Sequence, residues 1–114
     1  MSLEISVNPR QQADEILLTG NGLIEDDFAE LLQIVDERIA AAQPNLVLNL
    51  EKVKVLNSLG LNTLIKIFTK CRNNGGDMYI VNISDKINQV LLLTKLNTVL
   101  NIATSTEEAV ELLN

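Results

Sequence analysis

Two apolar rhythms alternate along this chain. "LEISV" (3–7) and "EILLTG" (15–20) carry the short apolar runs of strands, and "NPRQQAD" between them supplies Asn, Pro and Asp for a turn, so the pair predicts a β-hairpin. The period then changes. Phe28, Leu31, Leu32, Val35, Ile39 and Ala42 recur at three- and four-residue steps, which is one face of a helix, and Pro44 stops it. "NLVLNL" (45–50) is compact and apolar enough to be a central strand buried on both faces. A second strand-like piece, "VKVL" (53–56), leads into Ser58.

From there Leu61, Leu64, Ile65, Phe68 and Cys71 mark a second helix face, closed by the glycines of "RNNGG". "DMYIVNI" is the next strand, and Ser84 opens a helix carrying Ile87, Val90 and Leu91. "TVLNIA" is a short last strand. In "STEEAVELL", Ser105 and Glu108 take the N-cap and N3 positions of a capping box. Helices alternate with strands from residue 25 onward, which predicts an α/β fold with a mainly parallel or mixed sheet covered by helices. At 114 residues, positions 1–114 read as one domain.

Composition narrows the function. Apolar residues make up 46 % of the chain and aromatics only 3 %, so the core is aliphatic. A formal charge of −6 argues against nucleic acid and against an anionic membrane surface, both of which need clustered Lys and Arg. There is no His, which removes the commonest general base, the Ser-His and Cys-His nucleophile pairs and most catalytic zinc sites. The single Cys71 allows no internal disulfide, fits a reducing compartment and falls on an apolar helix face, as a small buried hydrophobe does. No signal-peptide pattern and no membrane-length apolar run is present, so the chain reads as soluble and cytoplasmic. No cofactor is expected, and dimerisation through a sheet edge or an exposed helix is left open.

Other patterns have ordinary explanations. Glu25, Asp26 and Asp27 suit the positive end of a helix dipole better than a metal shell. "GNG" (20–22) and "NNGG" (73–76) are turn chemistry and match no phosphate-cradling loop. Lys66, Lys70 and Arg72 lie toward the C-terminal half of their helix, where the dipole favours them; as a local basic stripe they would also orient a partner.

Ser58 is the sharper case. A Ser at a strand-to-helix turn is ordinarily an N-cap, but Asn57 precedes it and caps equally well. With Asn57 as cap, Ser58 falls in the first turn, and its hydroxyl is free to face solvent. A phosphate there would lie beside free backbone N–H groups at the positive dipole end. It would add roughly −1.5 to −2 charge units, enough to block an acidic partner or recruit a basic one. A hydrolytic role is disfavoured, since only Gly60 matches the small flanking residues of a nucleophile elbow and no His can act as base.

"NLVLNLEKVKVLNSLGLNTLIKIFTKCRNNGG" and the segments after it, residues 45–113, resemble the STAS domain, the fold of the anti-sigma factor antagonists. That family places an "LVLDL"-type strand before a "V-x-x-[ILM]-D-S-S/T-G-L" turn, then a long helix, a "GG" turn, a strand, a helix, a further strand and an "S-x-E-E-A" helix. "ILLTGNGLIEDDFAELLQIV" stands in, more weakly, for the family's "G-E-[IL]-D" segment. The resemblance implies a STAS-type mixed sheet with an N-terminal hairpin and about four helices packed on it. It implies a regulator and not an enzyme: an antagonist that binds an anti-sigma factor serine kinase and is released by phosphorylation. Carried over by position, the phosphoacceptor is Ser58, followed by the matching Gly60 and Leu61. Asn57, Leu59, Gly60, Leu61 and Asn62 would form the partner-binding surface, with Gly60 permitting close approach.

Asn57 stands where the family usually has Asp, Leu59 where it has a second Ser or Thr, and Asn62 where Gly is frequent. These departures favour an alternative, a constitutive STAS subunit of a lipid-transport ABC system or signalling assembly in which Ser58 is never modified. A small-ligand or nucleotide binder would rest only on the strand-to-helix turn as an anion site.

Overall fold

The computed structural model describes residues 4–10, 13–20, 25–54 and 56–113. In chain order these form β1 (Glu4–Arg10), β2 (Ala13–Thr19), α1 (Glu25–Ala40), β3 (Leu46–Lys52), α2 (Ser58–Asn73), β4 (Met78–Val81), α3 (Asp85–Leu93), β5 (Asn101–Ala103) and α4 (Thr106–Leu113). The five strands make one sheet in strictly sequential order, β1-β2-β3-β4-β5. β1 pairs antiparallel with β2, and every later pairing is parallel.

This order dictates where the helices go. Parallel crossovers of one hand that always step the same way along a sheet place every crossover helix on the same face. Accordingly Leu31 and Val35 of α1, Leu64, Ile67 and Cys71 of α2, and Ile87 and Leu91 of α3 share one core with Ile16, Leu48 and Ile80 of the sheet. Strand alternation sends the other residues to the opposite face, where Ala13, Val47, Val81 and Ala103 meet Ala109 of α4. "NLVLNL" is the central strand, with Leu46, Val47, Leu48 and Leu50 fully buried.

The second face holds a buried carboxylate. Glu15, 4 % exposed, accepts from Arg10 Nη2 (2.8 Å) at one oxygen. At the other it accepts from Thr106 Oγ1 (2.7 Å) and Asn49 Nδ2 (3.1 Å). Asn49 Oδ1 in turn accepts from the Glu51 N–H (3.0 Å) and Asn82 Nδ2 (3.2 Å). Burial alone would raise the Glu15 pKa, but the three hydrogen bonds and the Arg10 charge outweigh it and hold the group below the usual carboxylate range. The first residue of α4 is thereby tied to the second strand, 91 positions earlier in the chain.

Several expectations are corrected. The hairpin strands run through Asn8, Pro9, Arg10, Ala13 and Asp14, most of the stretch assigned to the turn, and only Gln11 and Gln12 lie outside the described residues. Pro9 is tolerated because β1 is an edge strand. α1 ends at Ala40, before Pro44. The Gln43 N–H bonds the Arg38 carbonyl (2.9 Å) and the Ala42 N–H bonds the Ile39 carbonyl (3.0 Å), a Schellman closure that sets Ala42 at φ 64° and leaves it exposed.

"VKVL" is not a strand among its described residues, because the Val53 N–H turns back to the Leu50 carbonyl (3.0 Å). Val55, and residues 21–24 of the "GNG" region, lie outside the described residues. β5 is shorter than "TVLNIA", since residues 96–98 form a 3-10 turn. The Ser105 Oγ caps α4 by accepting from the Glu108 N–H (3.1 Å), but Glu108 reaches back to the Thr104 N–H (3.2 Å) instead of that of Ser105.

Candidate functional site at the start of the second helix

The β3–α2 connection delivers residues 56–62 to the end of the sheet where the parallel strands finish. Asn57 is the N-cap of α2: its backbone is extended (φ −88°, ψ −178°) and its Oδ1 accepts from the Gly60 N–H at 2.9 Å. Ser58 is then the first helical residue and is exposed. Its hydroxyl is not the helix cap. Among the described residues the N–H groups of Ser58 and Leu59 have no intrachain acceptor, as the first turn of a helix leaves them. An anion on Ser58 would therefore meet open donors and the positive end of a 16-residue helix that carries no acidic residue in its first turn.

The neighbours divide into two groups. Asn62 is exposed, Leu59 and Leu61 are half-buried, and Leu61 also packs on the core. Gly60 is buried and points inward. A methyl added there would lie 3.1 Å from Phe28 Cζ and 3.1 Å from Leu56 Cδ2. Its small size thus lets α2 sit close to α1, a role within the chain that its assignment to a partner surface did not anticipate.

The buried face of α2 is also rotated from the one expected. Gly60, Thr63, Leu64, Ile67 and Cys71 are buried, whereas Ile65 and Phe68 are only half so. Thr63 was missed because it reads as polar, yet its hydroxyl donates to the Leu59 carbonyl (2.8 Å) and is satisfied inside the helix.

The basic stripe is partly committed within the chain. Lys70 pairs with Asp36 (2.8 Å), while Arg72 lies 3.7 Å from Asp77 and over the Phe68 ring (5.3 Å to its centre). Cys71 is fully buried, and burial, aided by the charge of Asp77, pushes its thiol up to about 12. It is a packing residue and not a nucleophile. Among the described residues no cluster of His, Cys, Asp and Glu could hold a metal ion.

On its other flank α2 faces α3 across a groove of about 290 Å³, lined by Leu56, Leu61, Lys86, Ile87, Gln89 and Val90. The start of α3 is tied to the β3–α2 connection: Ser84, the N-cap of α3, donates its hydroxyl to the Lys54 carbonyl (2.7 Å) and accepts from the Ile87 N–H (3.2 Å). This groove went unread in the sequence. The run "VLLL" (90–93) was the available signal, because one helix cannot bury four consecutive apolar residues on a single face.

A model of the STAS domain family matches residues 14–109. The chain belongs to the STAS domain family. Solved structures share the fold at low identity. An anti-sigma factor antagonist from Mycobacterium paratuberculosis superimposes with a TM-score of 0.83 at 20 % identity, over 98 % of this chain and 94 % of that one. The anti-sigma factor antagonist SpoIIAA in its unphosphorylated form gives 0.78 at 17 % identity, over 95 % and 94 %. The Bacillus cell fate determinant SpoIIAA in its phosphorylated form gives 0.73 at 16 % identity, over 97 % and 100 %. This STAS chain thus shares its fold with SpoIIAA in both of those forms.

Proposed function

We propose that this protein is a partner-switching regulator of the anti-sigma factor antagonist type. Its unmodified surface around Asn57, Ser58, Leu59, Leu61 and Asn62 binds an anti-sigma serine kinase, and phosphorylation of Ser58 releases it. The observation that carries this reading is the division of labour at the turn. Asn57 holds the helix, so the Ser58 hydroxyl stays exposed and can be modified without undoing the cap. Placing a charge of about −1.5 to −2 at the centre of a contact surface leaves it unpaired on binding, which weakens a complex by several kcal/mol. The protein performs no chemistry in this scheme; it is the substrate of its partner.

A tagged chain used as bait in its native lysate tests the proposal, with captured proteins identified by mass spectrometry. A serine kinase retained by wild type and by Ser58→Ala, but lost with Ser58→Asp, is the expected outcome. Equal affinity of wild type and Ser58→Asp for that kinase in calorimetry would end the proposal. Asn57 and Leu59, in place of the acid and the second hydroxyl of the family pattern, favour a second reading as a constitutive subunit of a transporter or signalling assembly. Transporter subunits captured equally by wild type and Ser58→Asp would select it.

A further inference from the structure

We propose that the groove between α2 and α3 docks an acidic, amphipathic helix of the partner, and that Ser58 controls entry to it. The proposal rests on the partner-switching reading and adds the chemistry of what is bound.

The shape argues for a helix. The groove is bounded by two helices that both start where the parallel strands end, and its apolar lining is Leu56, Leu61, Ile87 and Val90. It has room for side chains rather than for a further backbone. On α3, Lys86, Val90 and Leu93 fall at i, i+4 and i+7, so Leu93 lies on the same side of the helix as two of the residues that line the groove. Leu93 is 84 % exposed, the most exposed large apolar side chain among the described residues. Single exposed leucines are ordinary, but one on the groove side of α3 adds apolar surface next to the docking face. Apolar positions at this spacing accept the i, i+3, i+4, i+7 anchors of an amphipathic helix.

The charge argues for an acidic one. Among the described residues, four of the nine cations, Arg10, Arg38, Lys70 and Arg72, have carboxylate partners. Lys86, which lines the groove, has no ion pair among the described residues. α2 contains no Asp or Glu, and α3 contains only Asp85. The positive ends of both helix dipoles lie at one mouth of the groove. In a chain of net charge −6, the groove lining carries one cation, Lys86, and no acid.

The same face explains the switch. Ser58 and Leu61 are three residues apart on α2 and so lie on one side of it, with Leu61 in the groove wall. A phosphate on Ser58 would set negative charge at the mouth and repel an acidic helix.

The test is a titration of the ¹⁵N-labelled chain with two synthetic amphipathic peptides. Both carry leucines at i, i+3, i+4 and i+7; one has Glu at the remaining positions, the other Lys. The acidic peptide is expected to shift the amides of Leu56, Leu61 and residues 86–93, to bind at least tenfold tighter than the basic one, and to lose tenfold or more with Lys86→Glu or Ser58→Asp. Leu93→Ser, a second exposed change, is expected to weaken it without altering the rest of the spectrum. Equal or tighter binding of the basic peptide, shifts elsewhere, or no binding of either overturns the proposal. So do shifts of the same residues with protein concentration alone, which would mean that a second copy fills the groove. Kinase capture that remains sensitive to Ser58→Asp while the groove stays unperturbed would sink the groove and leave the switch standing. A bound acidic peptide with kinase capture indifferent to Ser58 would do the reverse.

Discussion

The proposed separation of capping from signalling at the start of α2 is testable by two adjacent substitutions. Asn57→Ala removes the oxygen that accepts from the Gly60 N–H at 2.9 Å; Ser58→Ala removes a hydroxyl that faces solvent. Loss of an Asn cap costs about 1 kcal/mol, within a range of roughly 0.5–2. Asn57 is half-buried, so water restores the lost bond only partly, and the cost belongs at or above the middle of that range. In a domain of this size about 1 kcal/mol corresponds to a fall in Tm of roughly 3–6 °C. With a urea m-value of about 2 kcal/mol/M it moves the midpoint down by about 0.5 M. Ser58→Ala should stay within about 0.5 kcal/mol of wild type, as exposed substitutions do. Parallel urea titrations followed by circular dichroism would read both. If Ser58→Ala costs as much as Asn57→Ala, the serine hydroxyl is part of the cap, and modifying it would loosen the helix instead of merely changing its surface.

Three further outcomes are expected. Because the folded-state pKa of Glu15 is depressed, its contribution is present above the unfolded value near 4.5 and is lost as pH falls through the lower folded value. Glu15→Gln should therefore cost about 1–2 kcal/mol at pH 7 and progressively less as pH falls below the unfolded value towards and through the lower folded one; a difference that stays constant throughout acid titration in denaturation at several pH values would contradict the assignment. Ala42→Gly should stabilise by about 0.5–1 kcal/mol, since φ 64° strains an alanine and not a glycine, and a lower Tm would refute it. Gly76→Ala should destabilise by at least about 2 kcal/mol, because the new methyl would overlap the Pro44 backbone, and a stability unchanged in urea would show that the two loops yield freely.

Much of this fold is written in periodicity. Short apolar runs, three- and four-residue spacing and, for the last helix, a capping box placed all five strands and four helices in order, and the caps at Asn57, Ser84 and Ser105 are readable as single residues. "VKVL" failed because a short apolar run fits a strand and a buried turn equally well. The inward role of Gly60 depends on Phe28, a contact between helices that no local pattern encodes. Thr63 and Glu15 were illegible for a common reason: polar residues read as surface until their hydrogen-bond partners are known, and those of Glu15 include Thr106. Ser58 could be singled out because its argument was local, resting on the residue beside it. The groove could not, because its walls come from two segments whose nearness is a property of the sheet.

The sequential order of the strands has a consequence for how the chain acquires its shape. Each strand after the first docks on the one made just before it, so the sheet can grow outward from the hairpin as residues leave the ribosome, with no strand waiting for a distant neighbour. One element breaks that rule. Until Thr106 has been synthesised and α4 has folded over the second face, the Glu15 carboxylate lacks one of its three donors and remains open to water. Burial of that carboxylate is therefore expected to follow formation of the sheet, and pulse-labelled hydrogen exchange in the strand that bears it during refolding would time it.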